Sequence, residues 1–155
     1  MPLIATRGAA SVQGFGEFAQ TTAPVYIEDV FSTYLYTGNA STQTITNGID
    51  LSTKGGLVWT KNRTGSSATH QFIDTVRGKN SALASQNADS ALGASDITSF
   101  NATGFSLGYI TGNSNFNNDT YASWTFRKAK KFFDVVTYTG NGSNRTISHN
   151  LGSTP

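Results

Sequence analysis

The sequence feature that most constrains the fold is a series of short segments rich in β-branched and aromatic residues, separated by Gly- and Asn-rich turns. In one of them, Phe105, Leu107 and Tyr109 alternate with other residues and would share one face of a strand. Short strands repeated about every 8 to 12 residues are typical of β-sandwiches and jelly rolls. The pattern predicts strands at 29–36, 42–46, 55–61, 70–76, 97–100, 105–110 and 121–126, with a further short strand near Leu83.

The composition supports an all-β chain. Ser, Thr, Asn and Gly make up 68 of the 155 residues, while charged residues are only 13%. These four residue types lower helix propensity or compete for backbone hydrogen bonds, which excludes a helical bundle. The 12% aromatic content argues against disorder, because such side chains bury enough area to offset chain entropy. We therefore predict an antiparallel β-sandwich or jelly roll, in which 31–36 and 42–46 form a hairpin.

An internal repeat divides the chain. Residues 31–47 and 133–149 align at an offset of 102 positions, with eight identities in seventeen pairs. This offset is too long for a solenoid repeat and indicates domains of about 100 residues. The predicted organisation is a sandwich unit at 25–129, followed at 130–155 by a linker and the first hairpin of a second, truncated repeat. We expect the chain to be the N-terminal part of a longer protein, or to be cut at a repeat boundary.

Residues 1–24 differ from the rest because they show neither a helical nor a strand period. They predict an extended N-terminal attachment arm. In it, Phe15 and Phe18 are candidates for docking on a partner subunit. The alternative is a tail that packs on its own domain.

Several function classes find little support in the sequence. The net charge of +2 does not indicate a polyanion partner, and the absence of cysteine removes disulfides, thiolate catalysis and zinc-thiolate sites. The two histidines, His70 and His149, lie outside any ligand motif, so no metal or other cofactor is predicted. No signal peptide and no run of about 18 apolar residues is present, so no membrane association is predicted.

Three polar features are candidate sites. Asp74 and Asp134 are the only carboxylate pair worth considering for glycoside hydrolysis, but an Asp74–Arg77 ion pair at a strand end is simpler, so no enzyme is predicted. The basic cluster 127–131 is interpreted as a solvated linker or an ion-pairing patch rather than a nucleic-acid site, since no aromatic residues are interleaved with it. The loop 113–119 could bind a sugar or calcium ion, although a surface turn is favoured.

Five aromatic residues are predicted to form the core, because each lies in a strand whose one face must be buried against a second sheet. They are Trp59, Phe72, Phe105, Trp124 and Phe126.

Particular segments resemble repeat domains of large virion structural proteins of tailed bacteriophages, especially marine and cyanobacterial ones. They are DVFSTYLYTGN (29–39), GGLVWTK (55–61), DTVRG (74–78), SFNATGFSLG (99–108) and YASWTFRKA (121–129). The segment FDVVTYTGNG (133–142) is similar to the start of the next such domain, and MPLIATRGAAS (1–11) to the beginning of these proteins.

The resemblance implies a lectin-like β-sandwich and a non-enzymatic protein of the virion, more often of the tail than of the capsid. In such a protein, Phe15 and Phe18 of the arm are the candidates for docking on the virion. The resemblance further implies a homo-oligomer, usually a trimer, that contacts other tail or baseplate proteins, with a host surface glycan bound through a C-terminal part beyond this sequence. The alternatives are a capsid decoration or head fibre, and a sandwich that itself recognises a host glycan.

Overall fold

The computed structural model describes residues 25–64, 70–85 and 91–152. This part of the chain contains one helical turn and eight strands. They are α1 (Ile27–Val30), β1 (Phe31–Thr37), β2 (Gln43–Thr46), β3 (Gly56–Asn62), β4 (Gln71–Asp74), β5 (Leu83–Ala84), β6 (Ile97–Asn101), β7 (Gly104–Leu107) and β8 (Thr120–Arg127). The predicted arm at 1–24, with Phe15 and Phe18, lies outside the described residues.

The strands form two antiparallel sheets. One has five strands in the order β1-β8-β3-β4-β5, and the other has three in the order β2-β7-β6. Every predicted strand position is occupied by a strand, including the short one near Leu83, and β6 and β7 form a hairpin across the predicted Asn101–Gly104 turn. The all-β antiparallel sandwich is therefore confirmed, while jelly-roll connectivity stays a prediction.

The core lies between the two sheets. The five-stranded sheet contributes Val58, Ile73 and Tyr121, and the β2–β3 connection adds Ile49 and Leu51. Each large side chain that is fully buried in this way stabilises the fold by about 1.5–3 kcal/mol. The three-stranded sheet contributes Ile45, Ile97, Phe105 and Leu107.

The predicted aromatic core is wrong for four of its five residues. Phe105 is fully buried between the sheets, but the other four are half-buried and do not belong to the core cluster. Beside Val58 and Tyr121, the positions on β3 and β8 that face the core hold the buried hydroxyl side chains of Thr60, Ser123 and Thr125. Because successive strand residues point to opposite faces, the large rings at the intervening positions lie on the outer face. These outer residues are Trp59, Phe72, Trp124 and Phe126.

The predicted hairpin between 31–36 and 42–46 is also wrong. β1 pairs with β8 and β2 pairs with β7, so these consecutive strands belong to different sheets. The connection is held by the fully buried Asn115, whose Oδ1 accepts the Asn39 backbone N–H at 3.0 Å. The Asn115 Nδ2 donates to the Ser41 carbonyl at 2.6 Å. These bonds take the chain across the edge of the sandwich instead of returning it along β1.

Among the described residues beyond β8, 128–152, no strand is formed, and the ordered pairing is a single bridge between Ala129 and Phe133. The first hairpin of a second repeat, predicted here, is therefore not seen. The physical reason follows from the first copy, where β1 and β2 are each held by a partner strand. The described part of the chain offers the second copy no such partner.

Candidate interaction surface

A row of side chains crosses the outer face of the five-stranded sheet. The strand register places Thr33 opposite Trp124, Trp124 opposite Trp59, Trp59 opposite Phe72, and Phe72 opposite Leu83. Since directly opposed residues lie on the same face of a sheet, these five form one line across all five strands, which we call the aromatic row. It places three large rings side by side on a face that the second sheet does not cover.

The rings of the aromatic row contact one another. The centroids of Trp59 and Trp124 are 4.6 Å apart, and those of Trp59 and Phe72 are 5.0 Å apart, with the rings tilted in both pairs. Such pairs contribute about 0.5–1.5 kcal/mol beyond the area that they bury. The three rings are half-buried, so each shows part of its surface to the solvent. This surface can pack against an apolar protein face or stack on the apolar face of a sugar ring.

One end of the outer face is already covered by the chain itself. Phe31 and Phe126 are opposed in the β1–β8 register, with ring centroids 4.9 Å apart. Phe133, which follows β8 in sequence, approaches Phe126 to 5.2 Å, and Phe132 approaches it to 6.5 Å. The segment that leads into the second copy therefore packs on this end and leaves the aromatic row open.

Polar groups border the aromatic row on the other side. The Lys61 Nζ lies 3.0 Å from the His70 Nε2, and the His70 ring is 6.1 Å from the ring of Trp59. Burial lowers the pKa of His70, and the neighbouring Lys61 charge lowers it further. The imidazole therefore stays neutral at neutral pH and accepts a hydrogen bond from the ammonium group.

The two carboxylates considered for catalysis are held by different cations. Asp74 is buried, and its Oδ1 accepts the backbone N–H groups of Val76 and Arg77 at 2.9 and 2.8 Å. Its Oδ2 accepts the Arg77 Nε at 2.5 Å, so the predicted Asp74–Arg77 ion pair is confirmed. Asp134 instead pairs with Lys128 at 3.0 Å. Both carboxylates, Asp74 and Asp134, therefore stabilise turns by accepting hydrogen bonds from backbone N–H groups.

The Lys128–Asp134 pair also ties the basic cluster to the segment after β8. The backbone N–H of Asn150 donates to Asp134 Oδ2 at 2.8 Å, which lowers the pKa of this carboxyl, and Lys128 lowers it further. Within the described residues, no group of three or more His, Asp or Glu is placed to hold a metal ion. His149 is exposed, and its Nδ1 accepts the Leu151 backbone N–H at 3.2 Å.

The loop 113–119, considered as a sugar or calcium site, is partly internal. Ser114 and Asn115 are fully buried, whereas the positions on either side are more exposed. The Asn115 side chain is occupied by the β1–β2 connection and by the Gly108 carbonyl, to which it donates at 2.9 Å. Its amide therefore holds neighbouring backbone segments together through hydrogen bonds. The prediction of a surface turn was wrong for Ser114 and Asn115.

A second fully buried carboxylate, Asp96, was not predicted from the sequence. Its Oδ1 accepts the backbone N–H groups of Ile110, Thr111 and Gly112 at 2.9, 2.6 and 3.1 Å. Its Oδ2 accepts the Ser114 N–H at 2.7 Å. An isolated aspartate in a Ser- and Asn-rich stretch gives no sequence signal for such a role, because the four donors lie 14 to 18 positions away.

Two stacked tyrosines adjoin this carboxylate. The rings of Tyr36 and Tyr121 are 5.1 Å apart and nearly parallel, and the Tyr36 hydroxyl donates to the Ser114 carbonyl at 2.8 Å. Burial raises the pKa of Tyr36 well above its ordinary value, with the neighbouring Tyr121 and Asp96 adding to the rise. The buried polar groups thus hold the sandwich together and leave the aromatic row as the main candidate for binding.

These observations define an all-β sandwich domain with an apolar core, buried polar groups beside that core, and aromatic side chains on the outer face of one sheet. Residues 27–155 match a family described as a domain of unknown function (DUF7483), and the chain belongs to this family. The match includes both the sandwich and the segment after β8. No curated protein and no solved structure matches the chain. Among the described residues, no helix is long and apolar enough to cross a membrane.

Proposed function

We propose that the chain is a non-enzymatic structural protein of a bacteriophage virion, the particle-proximal part of a tail fibre or of a related tail appendage. The observation that carries this proposal is the modular organisation: a β-sandwich unit is followed directly by a second copy of its own first segment. Serial repetition of a small rigid unit is an economical way to build an elongated appendage. The resemblance to repeat domains of phage proteins supports a virion as the particle that carries this appendage.

The surfaces of the domain support a role in assembly. The aromatic row offers an apolar face to a neighbouring subunit or protein, as expected for a homo-oligomer, and the resemblance implies a trimer. The interior depends on hydrogen bonds such as those of Asp96 and Asn115, which salt screens little because they are buried. Such a domain suits a particle that is exposed to sea water.

Labelling of intact virions tests the proposal. An antibody raised against residues 25–129 is applied to purified particles and located by electron microscopy, with antibody pre-absorbed on the purified domain as the control. We expect label at the tail or baseplate. Label spread over the head would favour a capsid decoration or head fibre, and particles without specific label would contradict a virion role.

A second candidate function is recognition of a host glycan by the sandwich itself. The aromatic row favours it, since half-buried Trp59 and Trp124 lie close to the polar Lys61 and His70 side chains. Sugar rings stack on aromatic faces and hydrogen-bond to such neighbours. A glycan array compares the wild-type chain with Trp124→Ala and with Leu35→Ala, an exposed outer-face residue beyond the row. Binding lost only in Trp124→Ala would support this function, and no binding by the wild-type chain would contradict it.

A further inference from the structure

The segment 133–149 keeps the residues of β1 and β2 but not their burial. Tyr36 is 9% exposed in β1, while its counterpart Tyr138 is 68% exposed. Ile45 is 3% exposed in β2, while its counterpart Ile147 is 37% exposed. The side chains of the copy that correspond to core residues of the first unit are therefore exposed to solvent.

The turn of the copy has the same internal hydrogen bond as the turn of the original. In the first copy, Asn39 Oδ1 accepts the Ser41 backbone N–H at 2.9 Å. In the second, Asn141 Oδ1 accepts the Ser143 backbone N–H at 3.1 Å. The turn of the copy is thus formed although the described residues offer it no partner strand. A turn that is already formed lowers the entropy cost of docking.

The site that receives the first copy has a demanding shape. Gly38 fits against the Phe116 carbonyl so closely that a Cβ on it would lie 2.1 Å from the oxygen. The backbone N–H of Gly38 donates to the Asp119 carbonyl at 2.8 Å. The second copy has glycine at the equivalent position, Gly140, although nothing lies within 4 Å of a Cβ built there. The second copy therefore has a glycine where the site of the first copy leaves no room for a Cβ, although the present surroundings of Gly140 leave room for one.

We propose that residues 133–149, here called the second-copy segment, bind a second β-sandwich unit of this family at the place that β1 and β2 occupy in the first. In that place, Tyr138 would stack on the counterpart of Tyr121, and Gly140 would lie against the counterpart of the Phe116 carbonyl. The inference goes beyond the proposed function, because it concerns how units join and holds for any particle that carries them.

The partner is a set of strands equivalent to β3–β8 whose own place for β1 and β2 is unfilled. A second copy of this protein is a poorer partner, because its site is already filled. Exchange there would bury Tyr138 and Ile147 only by exposing Tyr36 and Ile45, with no net gain in buried apolar area.

The test replaces residues 153–155 of the chain with a second set of its own strands. Residues 51–127, which contain β3–β8, are joined after Gly152, at the position equivalent to residue 50 in the repeat. Thr37 and Thr120 are opposed in the β1–β8 register, and Thr139 is the counterpart of Thr37 in the second copy. Thr139→Cys is therefore combined with Thr120→Cys, and the second change is made in the appended strands only. The chain has no cysteine of its own, so any disulfide reports this contact. We expect an intrachain disulfide and appended strands that are cleaved at least about tenfold more slowly by protease than an unfolded segment, because cleavage follows the population of the open form.

Gly140→Val is the matched variant. It should abolish the disulfide and the protection in the extended chain, while leaving the first unit and the unextended chain unchanged. Appended strands that stay unprotected beside a folded first unit would overturn the proposal, as would protected strands without the disulfide. In the unextended chain, an interchain disulfide between Thr139→Cys and Thr120→Cys would instead identify exchange between copies and overturn the assignment of the partner. None of these outcomes depends on where virions are labelled.

Discussion

At the scale of single residues, buried polar groups are stabilised by hydrogen-bond partners, and Asp96 is the clearest case. Asp96 is fully buried, yet its carboxylate has four backbone N–H groups as donors. A buried carboxylate without such donors would cost several kcal/mol. With them, it fixes the chain between β7 and Ser114 and so positions Asn115, which holds the β1–β2 connection.

Asp96→Asn should therefore destabilise the domain strongly. The amide keeps one acceptor oxygen but turns an NH₂ group toward backbone donors, and it loses the charge that strengthens the remaining bonds. We expect a loss of about 2–4 kcal/mol in the free energy of unfolding, measured by urea denaturation. Asp50→Asn is the control, because Asp50 also accepts backbone and hydroxyl hydrogen bonds, from Ser52 and Thr53, but at the surface. Equal losses in both variants would contradict the role of burial.

His70 should give the domain a pH dependence. Burial lowers its pKa in the folded state, so below its ordinary pKa of about 6.5 the unfolded chain binds a proton that the folded chain resists. Stability is therefore full at pH 7–8 and falls as the pH drops through about 6.5. Thermal unfolding between pH 8 and 5 measures the slope, and His70→Gln should flatten it while His149→Gln should not. An unchanged slope in His70→Gln would show that another group titrates.

At the scale of elements, the sequence predicted where strands lie better than where they end. Two strands end early because an aspartate accepts backbone N–H groups of the residues that follow them. β4 stops at Asp74, whose carboxylate binds the N–H groups of Val76 and Arg77. β7 stops at Leu107, because Asp96 accepts the N–H groups of Gly108 and Ile110 through its backbone and side-chain oxygens. Alternation in the sequence carries no information about such distant acceptors.

The sequence also could not assign the faces of the strands. Alternation separates Trp124 and Phe126 from Ser123 and Thr125, but it does not say which set meets the second sheet. Side-chain size suggested the aromatic set, whereas the structure buries the hydroxyl set. The choice depends on pairing partners: Thr60, for example, is buried with a hydroxyl contact of 2.7 Å to Ser114, 54 positions away. For the same reason, the aromatic row was not predicted as a surface.

The outer position of Trp124 gives an expectation opposite to a core role. Trp124→Ala removes a half-buried ring from a row of neighbouring rings, so it should cost about 1–2 kcal/mol and leave a folded domain. Phe105→Ala leaves a cavity between the sheets and should cost about 3–5 kcal/mol. Melting temperatures of the two variants provide the comparison. Unfolding of Trp124→Ala under conditions where Phe105→Ala stays folded would contradict the assignment of faces.

The β1–β2 connection allows a test with a control inside the same chain. Gly38→Ala places a Cβ 2.1 Å from the Phe116 carbonyl oxygen, so the turn or the 113–119 loop must shift. We expect a loss of about 2–4 kcal/mol, measured by denaturant unfolding. Gly140→Ala makes the same change in the second copy, where nothing lies within 4 Å, and should be nearly neutral. A neutral Gly38→Ala would show that the connection is not packed as described.

At the scale of the whole molecule, stability should depend little on ionic strength. The chain has a net charge of +2, and the ion pairs within the described residues are Asp74–Arg77 and Lys128–Asp134. The carboxylate side chains of both pairs are buried, so salt screens these pairs little, as it does the buried hydrogen bonds and the apolar packing. Raising NaCl from 0.05 to 0.6 M should therefore change the unfolding free energy by less than about 1 kcal/mol, whereas sodium sulfate should raise it by strengthening apolar burial. Arg77→Gln identifies what salt dependence remains, because it removes the more buried pair. A large fall in stability with NaCl in the wild-type chain would mean that ion pairs, and not the hydrogen-bonded interior, hold the sandwich together.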